Sequence, residues 1–253
     1  MLSKLEAKIV LIALLFLIPV TAGLSAYVLL QASDNSRLST SSDGYVTPKW
    51  IGSLVERVQE SLVTVNCLET IGSGFAFDLD ATDMSNDFDF ISEEARNSES
   101  LVITNAHVIE GCMDECVLRI TINDESTSMA KVLKIDLPND LALLESEVPI
   151  KPLSGVYWKP RPGYWTMASG SPHNFAGSVT FGNIINLDSN LLFHTASLSP
   201  GNSGGPLVDN EGFVYGVNTG SKPVGQNFNI SIGINAFCDQ LFICPKSKFW
   251  DTK

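Results

Sequence analysis

Apolar and polar positions along this chain recur in short segments, some alternating with period two and some running apolar for several residues. They begin with SLVTVNC at 61–67 and continue through GSGFAFDL, SLVITNAHVI, CVLRITI, AKVLKI, DLALLES, YWTMASG, SVTFGNII, LLFHTA and PLVDNEGFVYGVN to NFNISIGI at 227–234. Gly, Pro, Asn and Asp punctuate them, a pattern that predicts strands joined by turns. Helical spacing is confined to 48–62 (PKWIGSLVERVQESL) and 235–243. An all-β barrel or sandwich with a short helix at each end follows. No internal repeat is evident.

Residues 9–30 are of another kind, predominantly apolar and without a charge, and would reach roughly 33 Å as a helix, enough to cross a bilayer. Because the apolar run continues through Tyr27, Val28, Leu29 and Leu30, an uncleaved transmembrane anchor is favoured. The alternative is a cleaved signal peptide ending at Gly23 or Ala26, which would leave the protein secreted. Lys4 and Lys8 place the tail 1–8 in the cytoplasm and everything beyond Leu30 in the periplasm or extracellular space. A Ser-, Thr- and Asp-rich tether at 31–48 follows, closed by Pro48.

Composition narrows the possible partners. With 16 Lys plus Arg against 28 Asp plus Glu, the net charge is −12. No basic stripe is available to neutralise phosphates, so nucleic acid is excluded as a partner. Apolar residues make up 44% and charged ones 17%, which suits a folded domain with a real core.

The strongest chemical signal is Ser199-Pro200-Gly201-Asn202-Ser203-Gly204-Gly205-Pro206-Leu207. A serine hydroxyl becomes a nucleophile only with a base beside it and donors for the oxyanion it creates. Glycines around Ser203 leave the backbone bare and permit the positive φ that turns N–H groups inward. GNSGG also satisfies the G-x-S-x-G elbow of α/β-hydrolases, but there the histidine follows the serine. His107, His173 and His194 all precede Ser203. A subtilisin-like order would need the acid before His107 in a helix-rich chain, which this is not. His107, at the end of the strand-like LVIT, is the best base; His173 reads as a surface-turn residue and His194 as a strand residue. Asp140, after Leu137-Pro138-Asn139 and opening LALL, is the best acid, with Asp136 as a competitor that also suits a turn cap.

In this order ITNAHV, NDLALL and SPGNSGGPLV resemble the trypsin-like serine proteases, specifically the HtrA/Deg branch. GSGFAF, SGSPHNFAGSVTFGNI and NISIGINAF extend the similarity over roughly 50–241. The resemblance implies two six-stranded antiparallel β-barrels in a protease domain at 49–245, with 246–253 as a tail. It makes His107 the general base, Asp140 its orienting acid and Ser203 the nucleophile, with the N–H groups of Gly201 and Ser203 forming the oxyanion hole. Protein or peptide substrates are implied, and neither a metal nor another cofactor. A primary pocket is implied with its floor near Ser197 and its walls at Thr219, Gly220, Ser221 and the 229–232 strand, including Ile230 and Ser231. A non-catalytic binder on this scaffold and an esterase using the same triad are the alternatives, yet nothing required for acyl transfer is missing.

Three features depart from the branch. The sequence stops shortly after the terminal helix, so the PDZ domain usual there is not expected. Residues 78–99 (DLDATDMSNDFDFISEEARNSE) form an acidic insertion that reads as a solvated loop, since its carboxylates lack calcium-ligand spacing. There are also five cysteines. In an oxidising compartment these allow disulfides, with at least one thiol left over or paired with another chain. By the family match Cys67 pairs with Cys112, Cys116 being the substitute. Cys238 and Cys244 form a second candidate pair only if the helix ends between them.

Overall fold

The structure, a computed structural model, describes residues 44–78, 101–112, 118–122, 126–155, 159–220 and 228–237. The expected membrane segment at 9–30, the tether before residue 44, nearly all of the acidic insertion, Cys116, Ser221, Cys238 and Cys244 lie outside the described residues. Among those described, no helix is long and apolar enough to cross a membrane.

Helix α1 (Ile51–Ser61) carries Leu54 and Val58 one turn apart, and both are buried. The first barrel follows: β1 (Leu62–Cys67), β2 (Thr70–Ala76), β3 (Leu101–Thr104), β4 (Leu118–Ile122), β5 (Ser126–Asp136) and β6 (Leu141–Ser146). All neighbours are antiparallel, and the ring closes in the order β1-β2-β3-β6-β5-β4. Helix α2 (Ala106–Ile109) leaves β3 after Asn105. The second barrel comprises β7 (Trp165–Gly170), β8 (Ser178–Asp188), β9 (Leu191–His194), β10 (Pro206–Val208), β11 (Val214–Gly220) and β12 (Asn229–Gly233), closed in the order β10-β11-β12-β9-β8-β7. A final short helix, α3 (Ile234–Ala236), begins where sequence spacing predicts one, and its expected continuation beyond Phe237 falls outside the described residues.

The uninterrupted apolar runs LVIT and LALL have a direct cause. Alternate side chains of a strand point to opposite faces, and in β2, β3 and β6 both faces are covered. Ala76, Val102, Ala142 and Leu144 join Val63, Val65, Leu118 and Ile120 in the interior of the first barrel. Phe75, Ile103, Leu141 and Leu143 point the other way, into a cluster shared with Met167, Leu207 and Val217 of the second barrel and with Leu54 and Val58 of α1. This shared core fixes the two barrels against each other. A disulfide between Cys67 and Cys112, Cα atoms 5.7 Å apart, ties the end of β1 to the turn after α2.

Candidate active site

The first barrel supplies an imidazole and a carboxylate. α2 presents His107 at the end of β3, and the turn 137–140 between β5 and β6 presents Asp140. His107 Nδ1 lies 2.8 Å from Oδ2 and 3.0 Å from Oδ1 of Asp140, and the His107 backbone N–H donates to Oδ1 at 2.9 Å. Thr219 Oγ1, from β11 of the second barrel, donates to Asp140 Oδ2 at 2.8 Å. Asp140 adopts φ +55°, a left-handed conformation uncommon outside glycine. The Asn105 amide holds it there by donating to the Asp140 carbonyl at 2.8 Å.

These contacts set the electrostatics. The hydrogen bond to Asp140 raises the His107 pKa above 6.5, against the lowering effect of burial, and the charges of Asp140 and Glu110 add to the rise. Burial pushes the Asp140 carboxyl up, but hydrogen bonds from the His107 ring and backbone and from Thr219, with the His107 charge, bring it below its ordinary value. With a proton on Nδ1 facing the carboxylate, Nε2 is left as the basic nitrogen.

Ser203 sits on the loop between β9 and β10 of the second barrel, its Oγ donating to the Thr219 carbonyl at 3.4 Å. No hydrogen bond to His107 is present among the described contacts of Ser203. The backbone groups around it can be followed one by one. Pro200 O accepts from His173 N at 3.3 Å, Gly201 O from Ser73 Oγ at 2.6 Å, Asn202 O from Gly205 N at 3.1 Å, and Ser203 O from Ser73 N at 2.8 Å. The amides of Asn202 and Gly204 donate to Ser199 O at 3.0 Å and Asn218 O at 2.8 Å. The N–H groups of Gly201 and Ser203 have no partner among the described residues. Gly201 has φ +101°, and a Cβ there would stand 2.6 Å from Ser171 O and 2.9 Å from Pro172 Cα, so only glycine fits.

The other expected residues fall as follows. Asp136 caps its own turn, accepting from Asn139 N at 3.3 Å and Asn139 Nδ2 at 2.6 Å. His173 is exposed on a turn with φ +49°. His194 is fully buried; its Nε2 lies 3.0 Å from Ser231 Oγ, which donates to Asn218 Oδ1 at 3.0 Å. Burial lowers the His194 pKa to about 4, so it is neutral near pH 7. Of the expected pocket residues, Ser197 is exposed, Thr219 and Gly220 are half-buried, and Ile230 and Ser231 are buried within β12. Sequence reasoning did not find Asn105, Ser73 or the Thr219 bond to Asp140. Each acts through a contact between segments distant in the chain, which no local pattern encodes.

Two closed antiparallel barrels, with imidazole and carboxylate from one and a serine-bearing glycine loop from the other, define the trypsin-like fold class. Comparison with known proteins agrees: residues 72–217 match the trypsin-like peptidase domain model, and the chain belongs to that family. It is similar to the putative serine protease HhoB of Synechocystis sp., with 34% identity over 152 residues, covering 54% of this chain and 36% of the relative. It is also similar to a probable periplasmic serine endoprotease DegP-like of Marinomonas sp., with 35% identity over 131 residues, covering 48% of this chain and 27% of the relative. The chain thus spans well under half the length of these relatives. The crystal structure of the serine endoprotease from Yersinia pestis superposes with a TM-score of 0.60 at 26% identity, covering 77% of this chain and 66% of the other.

Proposed function

We propose that this chain is a serine endopeptidase that cleaves protein substrates through an acyl-enzyme intermediate. The observation that carries the reading is the conjunction of the His107–Asp140 pair with a serine loop in which the amides of Gly201 and Ser203, unlike those of Asn202, Gly204 and Gly205, have no partner among the described residues. In the proposed reaction Ser203 Oγ turns from the Thr219 carbonyl towards His107 Nε2, which takes its proton as Oγ attacks the scissile carbonyl. Asp140, held by Thr219 and the His107 backbone, stabilises the imidazolium. The carbonyl oxygen becomes an anion facing the two free N–H groups. His107 then protonates the leaving amine, and water, deprotonated by the same imidazole, releases the acyl group from Ser203.

The domain is proposed to work on the outer side of a membrane, anchored through residues 9–30. The Cys67–Cys112 bridge supports an oxidising compartment. Labelling of the full chain by a fluorophosphonate, lost in Ser203→Ala, tests the nucleophile. Cleavage of casein and of a peptide library, with the same variant as control, tests peptidase action. Hydrolysis of simple esters alone would favour an esterase, and no labelling a binding protein.

A further inference from the structure

An oxyanion hole works only if the peptide units that form it face the right way before substrate arrives, and a glycine loop does not hold such an orientation by itself. Resting on the hydrolase reading above, we propose that Ser73 is a positioning residue of the reaction. Its hydroxyl, with the 171–173 turn, locks the Gly201 peptide so that its N–H faces the developing oxyanion.

Four observations converge on this. Ser73 belongs to β2 of the first barrel and is fully buried, yet its Oγ crosses to the second barrel and donates to Gly201 O at 2.6 Å. The same oxygen accepts from Ser171 N at 2.8 Å, so the hydroxyl proton is committed to Gly201. Ser171 is held in turn by Thr64 Oγ1 of β1, which donates to Ser171 Oγ at 2.7 Å inside the protein. Two residues further on, His173, itself in a left-handed conformation, donates its backbone N–H to Pro200 O at 3.3 Å, on the peptide unit that carries the Gly201 N–H.

Because a trans peptide points its C=O and N–H in opposite directions, fixing Pro200 O on one side sends the Gly201 N–H to the other. Fixing Gly201 O stops the next unit from rolling. The packing leaves no slack: a Cβ at Gly170 would lie 2.7 Å from Asn202 Oδ1 and 3.0 Å from Ser73 Oγ, and one at Gly201 would strike Ser171. The backbone of Ser73 adds a second clamp, donating to Ser203 O while its carbonyl accepts from Thr104 Oγ1 at 2.6 Å. Ser73→Ala removes only the hydroxyl.

The test compares the full-length wild type, Ser203→Ala, Ser73→Ala and a control, Thr166→Val. Thr166 is fully buried and its hydroxyl donates to Val208 O at 2.9 Å, between β7 and β10, so it matches Ser73 in kind without touching the loop. With a peptide chosen from the library, Ser73→Ala should lower kcat by on the order of 10- to 100-fold with KM within about threefold, because the hole acts on the transition state rather than on bound substrate. Affinity for the matching peptide aldehyde, which places an oxyanion in the hole, should fall in step. Affinity for the peptide alcohol should not. Thr166→Val should lower the melting temperature similarly and leave kcat and the aldehyde-to-alcohol ratio unchanged.

A Ser73→Ala kcat within about twofold of wild type, or a loss that Thr166→Val reproduces, overturns the inference while leaving the peptidase reading in place. Wild type without Ser203-dependent turnover overturns both. Should Ser73→Ala not fold, a crystal structure of the wild type with the aldehyde on Ser203 decides. The tetrahedral oxygen is expected on the N–H groups of Gly201 and Ser203 with Ser73 Oγ still on Gly201 O, and a Gly201 peptide turned over or released from Ser73 refutes the proposal.

Discussion

His107 can serve as a base only while its ring is neutral, so every group that holds a proton on it moves the acid limb of the pH profile. Its pKa is raised first by the hydrogen bond to Asp140 and then by the charges of Asp140 and Glu110, against burial. In wild type kcat/KM should therefore rise with pH through a midpoint above 6.5. Asp140→Asn should move that midpoint down and lower the plateau by roughly 10⁴, while Ser203→Ala and His107→Ala should each remove on the order of 10⁶. Glu110→Gln should shift the midpoint slightly down at an unchanged plateau. Loss with Asp136→Asn and survival with Asp140→Asn would reverse the assignment, although Asp136 is occupied with Asn139. Two buried groups outside the proposed site oppose each other in stability. The His194 pKa is lowered to about 4, so its contribution is complete above 6.5 and is lost as pH falls through about 4. The Asp209 carboxyl is raised to about 6 by burial, so its contribution is complete below 3.8 and is lost as pH rises through about 6. Each is worth about 3 kcal/mol, and in wild type they nearly cancel. Urea unfolding between pH 4 and 6.5 should show His194→Gln losing stability with rising pH relative to wild type and Asp209→Asn gaining it; parallel curves would show that neither shift exists.

Strands were the most legible elements, because a chain with water on one face of a sheet and core on the other must alternate, and one with core on both must run apolar. Each strand-like segment of the sequence lies within or overlaps a strand. The polar start of β5 and the far end of β8 were not legible, since STSM and NLD carry no burial signal and are strands only because partners pair with them. α2 reads in sequence as a turn, being too short to show a period. The same limit applies to the candidate site: His107, Asp140 and Ser203, the proposed triad, stand out by residue type and flanking pattern, whereas Ser73 lies in a strand and gains its contact only when the barrels meet. One element-scale device can be tested directly. The Cys67–Cys112 bridge spans a sequence separation of 45, and closing a loop of that size removes up to about 4 kcal/mol of chain entropy from the unfolded state. The double variant Cys67→Ala/Cys112→Ala should lose about 2–4 kcal/mol in urea unfolding, and an unchanged midpoint would show the bridge to be dispensable. The expected pocket walls make a further prediction. Ser197, Thr219, Gly220, Ile230 and Ser231 include no carboxylate, and His194 behind Ser231 is neutral, so cleavage should follow small or aliphatic residues. Preference for Arg or Lys in the library would refute it.

For the whole molecule, the arrangement of the amino-terminal approach bears on how activity is switched on. In the chymotrypsin branch an Asp precedes the nucleophile, and a new amino terminus released by cleavage pairs with it to shape the oxyanion hole. Here that position is Asn202, which is buried, and its Oδ1 has no hydrogen-bond partner among the described residues. An ammonium buried beside an uncharged amide would cost several kcal/mol, and Gly170 already packs against that amide. The chain before α1 is engaged elsewhere. Gly44 O accepts from Trp165 N at 2.7 Å, Tyr45 packs edge-on against Tyr164 with ring centroids 4.6 Å apart, and the Asn210 amide donates to Val46 O at 2.7 Å. These contacts hold residues 44–46 against the second barrel, while Ser73 and the 171–173 turn contact the serine loop. We therefore expect no proteolytic activation. The full chain and variants starting at several points between Gln31 and Gly44 should show the same kcat/KM, and acetylating their termini should change nothing. A variant starting at Trp50 should be less stable, having lost the contacts of Gly44, Tyr45 and Val46. Activity confined to one new terminus, and abolished when its amine is acetylated, would show that a buried ion pair operates here after all.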